Sequence, residues 1–124
     1  IAGLNEALKW IEQVTVTTIE QHERVLIQSL ATKLTNITGA KLYFPPEGKY
    51  SSMLSFNMNG YDCRDIGQIL DEEFGIFVRT GYQCAPLVHD WLGSKPHGGI
   101  VRLSVSYFNT QADIDAAYQA LTTL

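Results

Sequence analysis

The chain reads as an α/β protein of the α+β type, with a small antiparallel or mixed sheet packed against helices. Three observations carry that reading. Apolar residues recur at helical spacing at both ends of the chain, and short alternating segments lie between them. Glycine or proline punctuates most changes of period.

Leu4, Leu8 and Ile11 mark a first helix, and Ile19, Leu26, Leu30 and Leu34 a second. The β-branched run Val14 to Thr18 between them predicts a break or bend, because such side chains lose rotamer freedom in a helix. Gly39 ends this part. Lys41 to Phe44 is a short strand stopped by Pro45 and Pro46. Met53 to Met58 alternates, placing Leu54, Phe56 and Met58 on a buried face and Ser55 and Asn57 on the other.

A helix follows, with Asp62 as its cap, Asp65 in its first turn, Ile66, Ile69 and Leu70 as its buried stripe, and Gly75 as its stop. Ile76 to Val78 is expected as a short apolar strand, and Pro86 to Leu92 as a helix of two turns. Gly93 to Gly99 has the composition of a mobile loop. Ile100 to Phe108 is the clearest strand. It puts Val101, Leu103, Val105 and Tyr107 on one side and Arg102, Ser104 and Ser106 on the other. Thr110 and Asp113 then have capping-box spacing, and Ile114, Tyr118 and Leu121 continue the last helix.

A length of 124 residues suits one domain, residues 1–124, and is short for two. Nine basic against thirteen acidic residues give a net charge of −4, and the basic ones are scattered. This disfavours nucleic acid or an anionic membrane as partner. No apolar run approaches the roughly 20 residues of a membrane span. With no visible signal peptide, a cytoplasmic location and two free thiols are expected of Cys63 and Cys84. His22, His89 and His97 show no ligand spacing, so no metal site is expected. Ile1-Ala2-Gly3-Leu4 runs straight into a helical pattern, as a piece of a longer chain would.

Cys84 is the first candidate for chemistry. If Pro86 opens a helix, the thiol lies just outside its positive end, and Arg79 at the preceding strand end adds charge; both favour a thiolate. The competing account is a small hydrophobe packed under a loop. Cys63, in the first turn of an amphipathic helix, reads as structural. Arg102 emerges on the Ser104 face, where its guanidinium suits a carboxylate; the competing account is a solvated surface arginine. His89 is expected on the short helix after Cys84, exposed rather than in the site.

Together, Arg79-Thr80-Gly81-Tyr82-Gln83-Cys84-Ala85, Arg102 and Tyr107-Phe108-Asn109-Thr110 resemble the C-terminal small domain of class V, fold-type I pyridoxal phosphate enzymes. Within that group they are most similar to the cysteine desulfurase and selenocysteine lyase branch. The resemblance spans the chain, through His22-Glu23-Arg24, Leu54-Ser55-Phe56-Asn57 and Gly75-Ile76-Phe77-Val78. It implies that Cys84 takes sulfur from L-cysteine as a persulfide, leaving alanine, and that Arg102 binds the substrate carboxylate with support from Arg79. It also implies a larger, homodimeric enzyme with a sulfur-acceptor protein as partner. Its large domain, absent here, would bind pyridoxal 5′-phosphate, since none of Lys9, Lys33, Lys41, Lys49 and Lys95 lies in the family's Ser-x-His-Lys context. Cys84-Ala85 runs directly into Pro86, a shorter form that resembles a desulfurase-like subgroup. Two other readings stand: a class V aminotransferase or selenocysteine lyase that does not depend on Cys84, and a non-enzymatic thiol carrier or interaction module.

Overall fold

Thr15 divides the N-terminal helical pattern in the computed structural model, which describes residues 1–43 and 51–124. Helix α1 is Ala2–Val14 and α2 is Val16–Thr35. Thr15 holds φ 71° and ψ 142°, a conformation a β-branched residue rarely adopts. Its N–H closes α1 on the Ile11 carbonyl at 2.8 Å, and its Oγ1 accepts the Thr18 N–H at 3.3 Å. One residue therefore ends one helix and caps the next.

Four strands, β1 (Ala40–Tyr43), β2 (Met53–Met58), β3 (Arg79–Gly81) and β4 (Ile100–Ser104), form one antiparallel sheet in the order β1-β2-β4-β3. The expected end of the first strand at Phe44 and its proline stop lie outside the described residues. Helices α2, α3 (Cys63–Phe74) and α5 (Gln111–Leu121) cover one face. Leu26, Ile27, Leu30 and Leu34 of α2 meet Leu54 and Phe56 of β2, Ile66 and Leu70 of α3, Val101 of β4, and Ile114 and Leu121 of α5. Ile69, expected in that stripe, is half-buried. Helix α1 buries no residue completely and leaves Leu4 and Leu8 exposed.

Asp62 caps α3 by accepting the Arg64 N–H at 2.9 Å. Gly75 stops it in the left-handed region, and the Ile76 N–H returns to the Leu70 carbonyl at 2.8 Å. That return explains one difference from the sequence reading. Ile76 is still tied to the helix, so the strand expected at Ile76 to Val78 forms only at Arg79–Gly81, where β4 is available to pair. The long strand Ile100 to Phe108 likewise ends at Ser104. Asn109 Oδ1 accepts the Ser106 N–H at 2.9 Å and its own N–H reaches the Ser106 carbonyl at 3.1 Å, folding 106–109 into a turn. Tyr107 is thereby carried off the strand face to Trp10 and His22, each 5.3 Å away between ring centres.

Two further expectations are corrected. The two-turn helix at Pro86 is a single turn, α4 (Val88–Leu92), because Ala85 and Val88 close successive turns on Tyr82 and Ala85 before it begins. The stretch 93–99 is a tightly bonded turn containing a 3₁₀ segment, Lys95–His97. Ser94 is fully buried, donates its N–H to the His89 carbonyl and accepts the N–H groups of His97 and Gly99, all at 3.1 Å. This turn covers one end of the sheet's second face. Asn57, on the face that the alternation assigns it, is consequently buried, with Nδ2 donating to the Gly99 carbonyl at 3.0 Å and to Tyr43 Oη at 3.2 Å.

Candidate active site

Paired residues in an antiparallel ladder share a face. Tyr43 pairs with Ser55, Ser55 with Arg102, and Arg102 with Arg79, so these four form one row across the sheet. The row lies on the face opposite Phe56 and Val101, away from the α2, α3 and α5 layer. Arg102 is half-buried, and its Nε is buried with no hydrogen-bond partner among the described residues. Arg79 is exposed. Neither arginine forms an ion pair with a carboxylate among the described residues. Two opposed guanidiniums and a hydroxyl on an open face are a donor set for a bidentate anion such as a carboxylate.

Strand β3 leads directly from this row to the thiol. Cys84 is exposed and Cys63 is buried, and both are free. Burial pushes the Cys63 thiol up from its ordinary pKa, and a hydrogen bond with the Gly81 backbone offsets part of that. Cys63 is therefore a poor nucleophile, in line with its structural reading. Cys84 does not stand at a helix end: α4 begins four residues later and is only five residues long. The expected activation by a helix dipole through Pro86 has no structural basis. Nor does any hydrogen bond among the described residues join the Cys84 thiol to Arg79 or Arg102.

The turn itself is unusual instead. Gln83 and Cys84 hold φ 53° and 63°, and the Ala85 N–H bonds the Tyr82 carbonyl at 2.9 Å. Two non-glycine residues in the left-handed region store about 1–2 kcal/mol each. Beneath them lies His89, which is 1% exposed rather than on the helix surface as expected. Its Nε2 is 2.9 Å from the Tyr82 carbonyl oxygen and its Nδ1 2.8 Å from Ser94 Oγ. The sequence disguised this residue, because its apolar neighbours Leu87 and Trp91 are more than 80% exposed while the polar His89 faces inward.

His22 Nε2 lies 2.8 Å from the Asn109 carbonyl oxygen, tying α2 to the turn before α5. The capping box expected at Thr110 forms, with Asp113 accepting the Thr110 N–H at 2.7 Å. Among the described residues, no cluster of three or more His, Cys, Asp or Glu is placed to hold a metal, and no helix is long and apolar enough to cross a membrane.

The fold, an antiparallel sheet layered on helices, is one shared with known proteins. The family model for class-V aminotransferases matches residues 1–117, and the chain belongs to that family. It is 33% identical over 119 residues to a probable cysteine desulfurase of Methanothermobacter thermautotrophicus, covering 96% of this chain and 30% of the relative. It is 37% identical over 113 residues to probable cysteine desulfurase 1 of Mycobacterium leprae, covering 91% of this chain and 18% of that one. Among solved structures, the cysteine desulfurase of Thermococcus onnurineus NA1 aligns with a TM-score of 0.85 at 28% identity, over 93% of this chain and 28% of its own. The Escherichia coli cysteine desulfurase CsdA aligns at 0.79 and 26% identity, over 98% and 29%. The chain thus spans less than a third of the length of these relatives.

The family implies pyridoxal phosphate, which such enzymes hold through a lysine Schiff base. Among the described residues Lys9 pairs with Glu6, Lys33 with Asp115 and Lys95 with Asp90, while Lys41 donates to the Leu92 carbonyl. Each of the four is engaged by a neighbouring group, and Lys41 also lies over the ring of Tyr43 in the arginine row, 4.9 Å from its centre, so none of them is assigned to the cofactor.

Proposed function

We propose that this chain is the C-terminal portion of a cysteine desulfurase, in which Cys84 accepts sulfur from L-cysteine while Arg102, aided by Arg79, holds the substrate carboxylate. The observation that carries this reading is the opposed arginine pair on the open sheet face, with an exposed thiol at the exit of the same strand. The relatives named as probable cysteine desulfurases support the choice of reaction. Pyridoxal phosphate belongs, on this reading, to the part of the relatives that the chain does not span.

The chemistry assigned to this chain is a sulfur transfer. The Cys84 thiolate attacks the sulfur of bound cysteine, a sulfur–sulfur bond forms, and the substrate carbon–sulfur bond breaks. The electron pair of that bond stays with carbon, which takes up a proton to become the methyl group of alanine. Cys84 is left as a persulfide, and the sulfur passes on to an acceptor. An exposed thiol suits that hand-over, because the acceptor must reach it. A cytoplasmic homodimer working with an acceptor protein completes the reading.

The test uses the full-length polypeptide with L-cysteine, pyridoxal phosphate and dithiothreitol, following alanine and sulfide. Both products form in the parent and are lost in Cys84→Ser. Normal turnover of cysteine by Cys84→Ser would refute the role of the thiol. Selective loss on cysteine but not on selenocysteine would point to a lyase. Amination of an oxo acid without sulfide would identify an aminotransferase.

A further inference from the structure

Gln83 and Cys84 occupy the two central positions of a turn closed by the Ala85 N–H on the Tyr82 carbonyl at 2.9 Å. Their φ values of 53° and 63° have the sign of a type I′ turn, which glycine and asparagine favour and which these residues enter only under constraint. Such a conformation persists where its surroundings over-determine it. The surrounding group here is the His89 side chain.

The Tyr82 carbonyl that closes the turn also receives His89 Nε2 at 2.9 Å. A carbonyl only accepts, so Nε2 carries the proton. In the neutral ring Nδ1 is then the acceptor, and Ser94 Oγ donates to it at 2.8 Å. Both His89 and Ser94 are buried, and the Tyr82 ring lies tilted against the imidazole with centres 5.0 Å apart. Ser94 is held in turn. Its carbonyl accepts the Gly99 N–H at 3.1 Å, and the Gly99 carbonyl accepts Asn57 Nδ2 at 3.0 Å. A continuous set of hydrogen bonds therefore runs from the turn that bears the thiol to strand β2, two residues from Ser55 in the arginine row.

We propose that His89 is a positioning residue for Cys84. Its Nε2–H clamps the Tyr82 carbonyl and so fixes the strained turn that presents the thiol, without touching the substrate. The inference rests on the reading of Cys84 as the sulfur acceptor. When the clamp is lost the turn relaxes toward negative φ and the sulfur moves out of line with the bond it must attack, a kind of misplacement that costs rate more than binding.

Two amide replacements separate the two ring nitrogens. Glutamine carries its amide where Nε2 lies and keeps a donor for Tyr82. Asparagine carries its amide where Nδ1 lies, keeps the Ser94 contact and loses the clamp. In the full-length enzyme, His89→Asn is expected to lower alanine formation at saturating cysteine about thirtyfold with KM within about twofold, and His89→Gln to restore the rate to within about threefold of the parent. Melting temperature is followed for both. Equal losses in the two variants at equal melting temperature, or no loss in either, would overturn the proposal. If His89→Asn does not fold, a folded His89→Gln that has lost more than about tenfold overturns it, and one that keeps its rate sustains it. Cys84→Ser, measured alongside, keeps the two readings apart. If it turns over normally, the sulfur-acceptor reading fails. If it is inactive while His89→Asn matches the parent, only the positioning role fails.

Discussion

Arg79 and Arg102 stand directly opposite each other across β3 and β4, on the sheet face that the α2, α3 and α5 layer leaves free. Like charges in such a pair oppose folding unless something of opposite sign lies between them. On the proposed function a substrate carboxylate would meet that need, since the donor set suits both of its oxygens.

Arg102→Ala in the full-length enzyme is expected to lower kcat/KM for cysteine about ten- to a hundredfold, mainly through KM, the range set by losing hydrogen bonds to a charged group. Arg102→Lys should not restore it, because an ammonium lacks the planar fork. The unliganded Arg102→Ala protein should melt no lower than the parent, since one of two like charges is gone. Steady-state kinetics and a melting curve check the prediction. A large fall in kcat with unchanged KM would place Arg102 elsewhere in the reaction.

The β3–β4 junction depends on two glycines in close approach. A Cβ on Gly99 would lie 2.4 Å from the carbonyl carbon and oxygen of Gly81, and Gly99 holds φ 124°. Gly99→Ala is expected to destabilise the protein by about 2 kcal/mol or more, by steric conflict added to strain. Gly60→Ala is the control, because φ there is 87° but nothing lies within 4 Å of the new Cβ. Its loss should be about 1–2 kcal/mol. Denaturant titration of both variants gives the comparison, and equal losses would argue against close packing as the cause.

Asp113 contributes to the acid limb of the stability profile, as does Asp115, which Gln111 and then Lys33 hold below its ordinary value. The Thr110 N–H, and then Asn109, hold the Asp113 carboxyl below the ordinary value of 3.8. A depressed folded-state pKa contributes stability that is present above the unfolded value and is lost as pH falls through the folded one. Melting temperature should therefore drop as pH is lowered from 5 toward 2, and Asp113→Asn should show a shallower drop from a lower starting point. The same slope in both proteins would remove Asp113 from the account.

Much of this fold was legible because local chemistry decided it. The Val14 to Thr18 run, the Asp62 cap, the Gly75 stop and the Thr110–Asp113 box each work within a few residues. The core stripes of α2, β2 and α5 follow from apolar periodicity. The errors share a different cause. Ile76 to Val78 and Val105 to Phe108 have strand composition, but pairing is a property of the neighbouring strand and ends where that strand ends. The burial of His89 and Asn57 was not legible because a polar side chain is buried when another group completes it: the Tyr82 carbonyl and the Ser94 hydroxyl in one case, the Gly99 carbonyl in the other. Cys84, Arg79 and Arg102 were visible as residues, yet the opposed register of the arginines and the left-handed turn under the thiol were not. Both arise from pairings that spacing along the chain does not encode.

The most direct measurement follows the sulfur itself. Full-length enzyme loaded with pyridoxal phosphate is mixed with L-cysteine in the absence of reductant, free thiols are trapped, and the peptides are weighed by mass spectrometry. One additional sulfur atom is expected on the peptide carrying Cys84, matched by alanine in equal amount, and none on the peptide carrying Cys63. Alanine formed while Cys84 stays unmodified, with the sulfur released or carried on another residue, would contradict it.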